Sequence, residues 1–460
     1  MVAAKTAIAT AGHNIANSKT EGFSRQRVET AAADPHAVLG NHALIGTGTY
    51  VQRIGRVNDE FLEKQIRNGQ RDLSHLEEKD MVLRQTEDIF NEMNGDGLNR
   101  LMSRFFNEFR KLSNEPENEA VRQSVREASA AMVNDFHRLR REVESVREHI
   151  DARLEGHVKE INAAADELKG LNMKIRQFTM GGTPTNDLED KRDVVLKKLS
   201  TYMDLQSHQD NEGNYVVDIK GVGPLVVGPN AEKFEVHRSP ADAEGKSENA
   251  LDLGTTASVN NIVTHRIKGG TIGALLEARD QILSTVLERV DDLAYSVSNA
   301  VNEIHEQGFT RHGAQNVQFF KPQGVKQRAA EFIDLSDAVR SSVNNIATAA
   351  IPDAPGDNRI AIAISGLQNQ KIMSEGKATV DDWYNSIVGD VGVATARNRS
   401  GINQQKDIMT QLDKMRDQIS GVSIDEETAN LMQFQHTFDA SAKVLQVADE
   451  MLKTVLELKR

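Results

Sequence analysis

The chain contains no cysteine, which excludes disulfide bridges, a thiolate nucleophile and cysteine-ligated metal together. Aromatic residues are scarce, at 5% of the chain against 27% charged residues. That balance suits long exposed helices with thin apolar seams better than thick globular cores. No uninterrupted apolar run approaches the roughly 18 residues that a membrane span requires, and no basic-then-apolar leader ends in a cleavage site. Neither a membrane span nor a cleaved signal peptide is therefore expected, and an exported chain of this kind would leave by another route. Basic residues are outnumbered as well, 55 Lys and Arg against 68 Asp and Glu, for a net charge of -13. With no basic stripe to offset it, that charge repels a phosphate backbone and argues against nucleic acid as a partner.

Catalytic patterns are lacking too. None of the 13 histidines forms a His-Glu-x-x-His motif or a metal-binding pair on one helix face, and His305 and His312 read as surface or capping residues around a helix end at Gly308. There is no Gly-x-Ser-x-Gly elbow. Gly46-Thr47-Gly48 has neither the third glycine nor the Lys-Ser or Lys-Thr pair of a phosphate loop and reads as a turn. The acidic residues Asp187, Glu189, Asp190 and Asp193 stand beside Lys191 and Arg192, the pattern of a solvated helix face. No catalytic, cofactor or metal site is assigned, and no enzyme is expected. No repeat of roughly 20 to 50 residues marks a solenoid.

What the chain does have lies at its two ends. Near the carboxyl terminus Leu431, Phe438, Leu445 and Leu452 recur every seven residues, with Phe434, Ala448 and Val455 on the adjacent position and Ser441 interrupting the second row. This is a coiled-coil seam. Near the amino terminus Ala4, Ile8, Ala11 and Ile15 lay a second narrow stripe along a short helix. A single amphipathic helix usually packs into its own globular core. Two terminal stripes, each too narrow and one too short to stand alone, point instead to pairing with each other and then with neighbouring copies.

Between the ends the periodicity is mostly helical. Residues 17–57 read as an extended loop with short β pieces around Pro35 and the run Leu44 to Tyr50. Helices are expected from Asn58 to about Asn94, ended by Gly95 and Gly97, and from Leu98 to Leu112. A helix of nearly sixty residues, about 85 Å long, then runs from Val121 to Phe178. Gly181, Gly182 and Pro184 stop it, and Asn186 with Glu189 resembles a capping box for a return helix through Leu199. From Leu205 to Arg266 the pattern alternates in twos, with Tyr215, Val217 and Ile219 followed by Leu225, Val226 and Val227, as in a small β domain. A further long helix spans Thr271 to Gln307, and residues 308–356 read as loops with short strands. Helices return at Arg359–Leu367 and Val380–Ile419, and Ser423 with Glu426 caps the last one, whose Asp425, Glu426 and Glu427 suit the positive end of its dipole. The expected fold is mainly α with a β insertion, elongated and multi-domain. Residues 1–33 with 423–460 would form a terminal coiled-coil domain, 34–204 with 268–422 a helical rod domain, and 205–267 the inserted β domain.

Residues His13 to Val28 read HNIANSKTEGFSRQRV, and the last helix carries ANLMQFQHTFDASAKVLQVADEML. The first resembles the His-Asn-Ile-Ala-Asn signature of bacterial flagellar axial proteins, and the second is similar to their shared terminal helix. Phe23-Ser-Arg-Gln-Arg-Val28, Asp187-Leu-Glu-Asp-Lys-Arg-Asp193, Val301-Asn-Glu-Ile-His305 with Gly308, and Gly356-Asp-Asn358 are similar to stretches of the hook-associated protein 1 family. The resemblance implies a non-enzymatic structural subunit, exported through the flagellar type III apparatus with its chaperone and without a cleaved leader. It implies a homo-oligomeric ring at the junction of hook and filament, between the hook protein and hook-associated protein 3, on the extracellular flagellum. The subunit interface would be carried by Ala4, Ile8, Ala11, Ile15, Leu431, Phe434, Phe438, Leu445, Ala448, Leu452 and Val455. Two departures set further expectations: only twelve residues precede His13, as in a lopsided terminal coil or a late start, and the chain is short for the family, as if an outer variable domain were small or missing. Rival readings are another axial protein, such as hook-associated protein 3 or a distal rod or hook component, a cytosolic coiled-coil scaffold, or a hydrolase in the β insertion. The last would need a catalytic cleft in some sixty residues.

Overall fold

A computed structural model describes residues 1–34, 36–37, 44–45, 47–90, 97–211, 213–238, 251–255 and 262–457. Pro35, Gly46, Asn94 and Gly95 lie outside them. The chain opens with helix α1 (Val2–Asn17), then β1 (Gln26–Ala32), β2 (His36–Ala37), β3 (Leu44–Ile45) and β4 (Thr49–Arg56). β1 and β4 form an antiparallel ribbon from Gln26↔Arg56 to Ala32↔Thr49. Helices α2 (Glu60–Ile89), α3 (Leu98–Asn114), α4 (Glu119–Met180) and α5 (Asn186–Tyr202) follow. Asp59 caps α2 by accepting from the Phe61 and Leu62 amides, and Asn118 caps α4 through the Ala120 amide. At 62 residues and 1.5 Å per residue, α4 is about 93 Å long. It buries the predicted row of Val125, Met132, Phe136, Leu139, Val143, Ile150, Leu154, Ile161 and Leu168.

The switch to alternating apolar residues after Leu205 makes β5 (Leu205–Gln209), β6 (Tyr215–Ile219), β7 (Gly223–Val227) and β8 (Asn230–Ala231), an antiparallel sheet in that order. β9 (Phe234–Arg238) and β10 (Leu251–Thr255) form a second antiparallel pair. Val217, Ile219, Leu225, Val226, Phe234, Leu251 and Leu253 join the same continuous core as the long helix. The Asn162 side chain on α4 fixes the contact by accepting from the Phe234 amide and donating to the Phe234 carbonyl, each at 2.9 Å. The chain re-enters the helical body at Gly270, where φ is +61° and an added Cβ would lie 2.4 Å from the Tyr202 carbonyl carbon. Only glycine fits there.

The expected helix from Thr271 to Gln307 is continuous but not uniform. α6 (Gly270–Glu277) passes through a π-helical turn at Ala278–Leu283 into α7 (Ser284–Glu306). Within that turn Arg279, 2% exposed, donates to Asp151 of α4 and to the Leu251 carbonyl of β10, both at 2.8 Å. A wide turn sits where one side chain must reach two elements.

Residues 308–356 are mostly the expected loops but without the expected strands. They carry the short helices α8 (Ala329–Phe332) and α9 (Asp337–Ser341), and strand pairing shrinks to isolated bridges such as Phe309↔Ala349 and Phe320↔Leu335. The reason is that buried side chains, not neighbouring strands, satisfy this backbone. Asn302 accepts from the Phe319 and Phe320 amides and donates to the Phe320 carbonyl. Asp291 accepts from the Arg328 and Ala330 amides, and Arg122 donates to the Val343 and Ile346 carbonyls. The segment closes over Phe105 and Phe109 of α3, whose rings meet Phe319 at centroid distances of 6.0 and 5.4 Å. α10 (Arg359–Gly366), α11 (Val380–Ser420) and α12 (Ile424–Glu457) complete the chain.

His305 corrects the surface reading given to it. It is wholly buried, receives the Ala347 amide on Nε2 at 2.8 Å and faces the Val317 carbonyl through Nδ1. Since Nε2 accepts, Nδ1 carries the proton and the ring is neutral. Gly308 follows because an added Cβ would lie 2.9 Å from Ala347 Cβ and from Ile360 Cγ1. Burial lowers the His305 pKa from 6.5 to about 4. A depressed folded pKa contributes stability above the unfolded value that is lost as pH falls towards the folded one. Urea denaturation between pH 6.5 and pH 4 should therefore show wild type losing up to about 3 kcal/mol more than His305→Gln. Equal slopes for the two proteins would show that the ring already protonates freely in the fold.

Candidate functional site

The two terminal stripes meet. α1 packs along α12, and because Asn14 in the last turn of α1 bonds Glu427 in the first turn of α12, the helices run antiparallel. The buried face of α1 is Ala4, Ala7, Thr10, Ala11 and Asn14. It is rotated part of a turn from the expected stripe, so that Ala4 and Ala11 lie inside while Ile8 and Ile15 are only half-buried. The cause is close approach: alanines let the helix backbones come near, and the isoleucines are left on the flank.

Coverage is unequal along α12. Leu431, Phe434 and Phe438 are half-buried, whereas Leu445, Ala448, Leu452 and Val455 are exposed, as α1 has 16 residues and α12 has 34. Val444, Val447, Met451 and Leu456 widen the uncovered strip. An apolar strip of this length is a mark of an interaction surface.

Beneath the paired helices lies a buried polar joint. Asn14, 1% exposed, donates to the Gln26 carbonyl and to Glu427 Oε2 and accepts from the Gln26 amide, at 2.9, 3.0 and 3.0 Å. Arg25 reaches Glu426 at 3.1 Å and Glu427 at 2.8 Å, while its amide donates to the Ser420 carbonyl. The carboxylates at this helix start also face its positive end.

The joint continues onto α5. Gln26 donates to Asp187 at 2.7 Å, His13 lies 3.2 Å from the same oxygen, and the Ser24 amide donates to Asp190 at 3.0 Å. Arg56, at the end of β4, holds Asp190 and Asp193 at 2.8 Å and Glu189 at 3.0 Å. Burial opposes the Arg56 charge, but Asp193, Asp190 and Glu189 outweigh it and raise the pKa above its ordinary value. Burial raises the Asp190 carboxyl, with Arg56 and the Ser24 amide pulling it part of the way back.

The acidic run is thus a clamp and not a solvated face. Asp190 is 6% exposed and meets its partners from over a hundred residues away in sequence. The Asn186 capping box is also corrected: Thr185 is the N-cap and bonds Glu189, while Asn186 donates to the Ile54 carbonyl of β4. Sequence reasoning missed Arg56 altogether, since nothing around it is patterned. The rest lies in the segments that carry the family resemblance, Asn14, Arg25 and Gln26 within His13 to Val28 and Asp190 within Asp187 to Asp193.

Among the described residues no group of His, Asp or Glu is placed to hold a metal ion, and no helix is long and apolar enough to cross a membrane. A mostly helical, elongated chain whose ends pair, with a seam left uncovered beyond the pairing, is built as a structural subunit of a larger assembly.

Comparison with known proteins names that assembly. Residues 83–320 match the family described as the flagellar hook-associated protein FlgK helical domain, and residues 409–458 match the flagellar basal body rod FlgEFG protein C-terminal family. The chain is 28% identical over 487 residues to flagellar hook-associated protein 1 of Bacillus subtilis, covering 99% of this chain and 95% of that one. The Escherichia coli protein of the same name is 24% identical over 539 residues, covering 99% and 98%. The fold is similar to that of the flagellar hook junction protein FlgK from Burkholderia pseudomallei, with a TM-score of 0.68 at 16% identity over 78% of this chain and all of that one. The chain belongs to the FlgK family of flagellar hook-associated proteins. It is a structural protein of the extracellular flagellum.

Removing Arg56 would leave three carboxylates facing one another in a largely buried site. Arg56→Ala is expected to destabilise the joint by about 3–5 kcal/mol, and Arg56→Lys by less, since a point charge cannot hold all three at once. Thermal unfolding with limited proteolysis around residues 20–60 would register both; an Arg56→Ala protein as resistant as wild type would show the clamp to be idle.

Proposed function

We propose that the chain forms the junction between hook and filament as a homo-oligomeric ring, closed by burial of the seam that α1 leaves uncovered. The observation that carries this is the exposed row Leu445, Leu452 and Val455 on the same helix whose first turns are already paired. Burying a large apolar side chain contributes about 1.5 to 3 kcal/mol, so the strip from Val444 to Leu456 outweighs a substantial ordering cost when copies close on it. Ile8 and Ile15 on the flank of α1 belong to the same interface, together with Leu431, Phe434, Phe438 and Ala448, whereas Ala4 and Ala11, expected in it, are buried within the chain and support it from behind. Residues 1–33 with 423–460 act as one assembly unit, the helical residues 34–204 with 268–422 set the spacing between neighbours, and the β portion 205–267 faces outward.

The names of the relatives support the hook as the neighbour below, and the resemblance of the signatures implies hook-associated protein 3 as the neighbour above. Export runs through the flagellar type III apparatus, with a chaperone covering the apolar terminus.

Leu452 is 64% exposed, so Leu452→Asp should leave folding stability within about 0.5 kcal/mol of wild type. The variant should nevertheless fail to enter the flagellum, giving cells that keep hooks but shed flagellin monomers into the medium. Filaments of normal length, with the variant present at their base, would sink the proposal.

A further inference from the structure

Between the body and the terminal coil, α2 and the carboxyl half of α11 form an antiparallel pair with a small core of its own. Leu62, Ile66 and Met409 are buried there, with Leu73 and Leu412 packed partly against them. Polar rungs set the register: Gln405 donates to the Gly69 carbonyl at 3.0 Å, Asn398 to the Leu76 carbonyl at 2.8 Å, and Arg416 pairs with Glu63 at 2.8 Å. So thin a pair obtains little stability from its own packing.

One side of it is apolar and uncovered. Phe61 is 70% exposed, Ile408 39%, Met415 50% and Ile419 40%. At 3.6 residues per turn, Ile408, Met415 and Ile419 fall on one stripe of α11, displaced from the α2-facing line through Met409. Phe61 is displaced in the same sense from the α11-facing line through Leu62 and Ile66. In an antiparallel pair, equal displacements of the same sense bring both stripes to the same side. The Glu63–Arg416 bridge places Phe61 level with the turns carrying Met415 and Ile419. The neighbouring positions on that side are mostly amides, Gln65, Asn68, Gln404, Gln411 and Gln418, with Lys64 one turn from Phe61.

We propose that this face is an interface for a second copy of the chain within the assembled ring, a contact separate from the terminal seam. The proposal rests on the ring reading above. Two observations select the occupant. A chain of net charge -13 repels its own copies, so contact between copies belongs where carboxylates give way to amides. The carboxyl-terminal family match begins at residue 409 and not at the start of α12, so Met415 and Ile419 belong to the same shared unit as the seam. Only Gly421 to Ser423 separate the two helices, and a neighbour that closes on one strip is held beside the other.

The test is Met415→p-benzoylphenylalanine in the full chain, irradiated in flagellated cells, with Leu452→p-benzoylphenylalanine in parallel. Both positions are exposed, so the bulkier residue is accommodated in the folded chain. The expected result at Met415 is an adduct of twice the 50.8 kDa chain mass, containing peptides of this chain alone and absent from dilute monomer. A Met415 adduct to a different axial protein overturns the inference, as does no adduct there while Leu452 yields a self-adduct; the ring reading survives either result. Loss of self-adducts at both positions overturns the ring reading as well.

Discussion

The structure depends on a polar joint that holds a pair of apolar helices at a fixed place on a helical body. Asn14, with one side chain, satisfies the backbone of β1 and the first turn of α12 together. Arg56 then gathers three carboxylates of α5 behind it. Burying such groups costs desolvation, which apolar contacts would avoid. What the polar solution supplies is direction, because hydrogen bonds with defined partners admit one register where an apolar surface admits many. A subunit that must present its seam to a neighbour at a set angle needs that direction.

The long helices were legible from residue spacing, because their burial is local: α4 presents apolar residues every three or four positions to one continuous core. The β insertion was legible for a similar reason, with the alternation at Tyr215, Val217 and Ile219 appearing as β6 and Leu225 to Val227 as β7. The loops of residues 308–356 were legible but what holds them was not, because their backbone is satisfied by Asn302, Asp291, Arg122 and His305 from elsewhere in the chain. A buried polar pin and an exposed polar residue are the same letter in a sequence. His305 and Asp190 read as surface residues on that account, although both lie in segments that resemble the hook-associated protein 1 family. The rotation of α1 was missed for a different reason: alanine counts for little in an apolar stripe, yet its small size decides how closely two helices approach.

Scarcity of aromatics also acquires a meaning. Phe105, Phe106, Phe109, Phe319 and Phe320 are gathered in one cluster with His305 on its edge. That cluster lies where α3 meets the segment that lacks regular structure. Elsewhere the body relies mostly on aliphatic rows along helices, with single buried rings such as Phe136 and Phe234. The clustered rings supply apolar packing against an irregular backbone whose polar groups Asn302, Asp291, Arg122 and His305 satisfy.

Burial thins from that cluster towards the carboxyl end of the chain. The body holds an extended core, the α2–α11 pair buries Leu62, Ile66 and Met409, and the far half of α12 buries none of its seam. Such a gradient fits a subunit that must remain separate before assembly and become rigid after it. If the uncovered strips were buried within the chain, copies would gain nothing by joining; if the joint were loose, closing the seam would cost the entropy of orienting each terminal coil. The rigid joint removes that cost beforehand. In the proposed ring the apolar strips then contribute their burial to contact between copies, and the charge carried elsewhere on the surface disfavours contacts in any other arrangement.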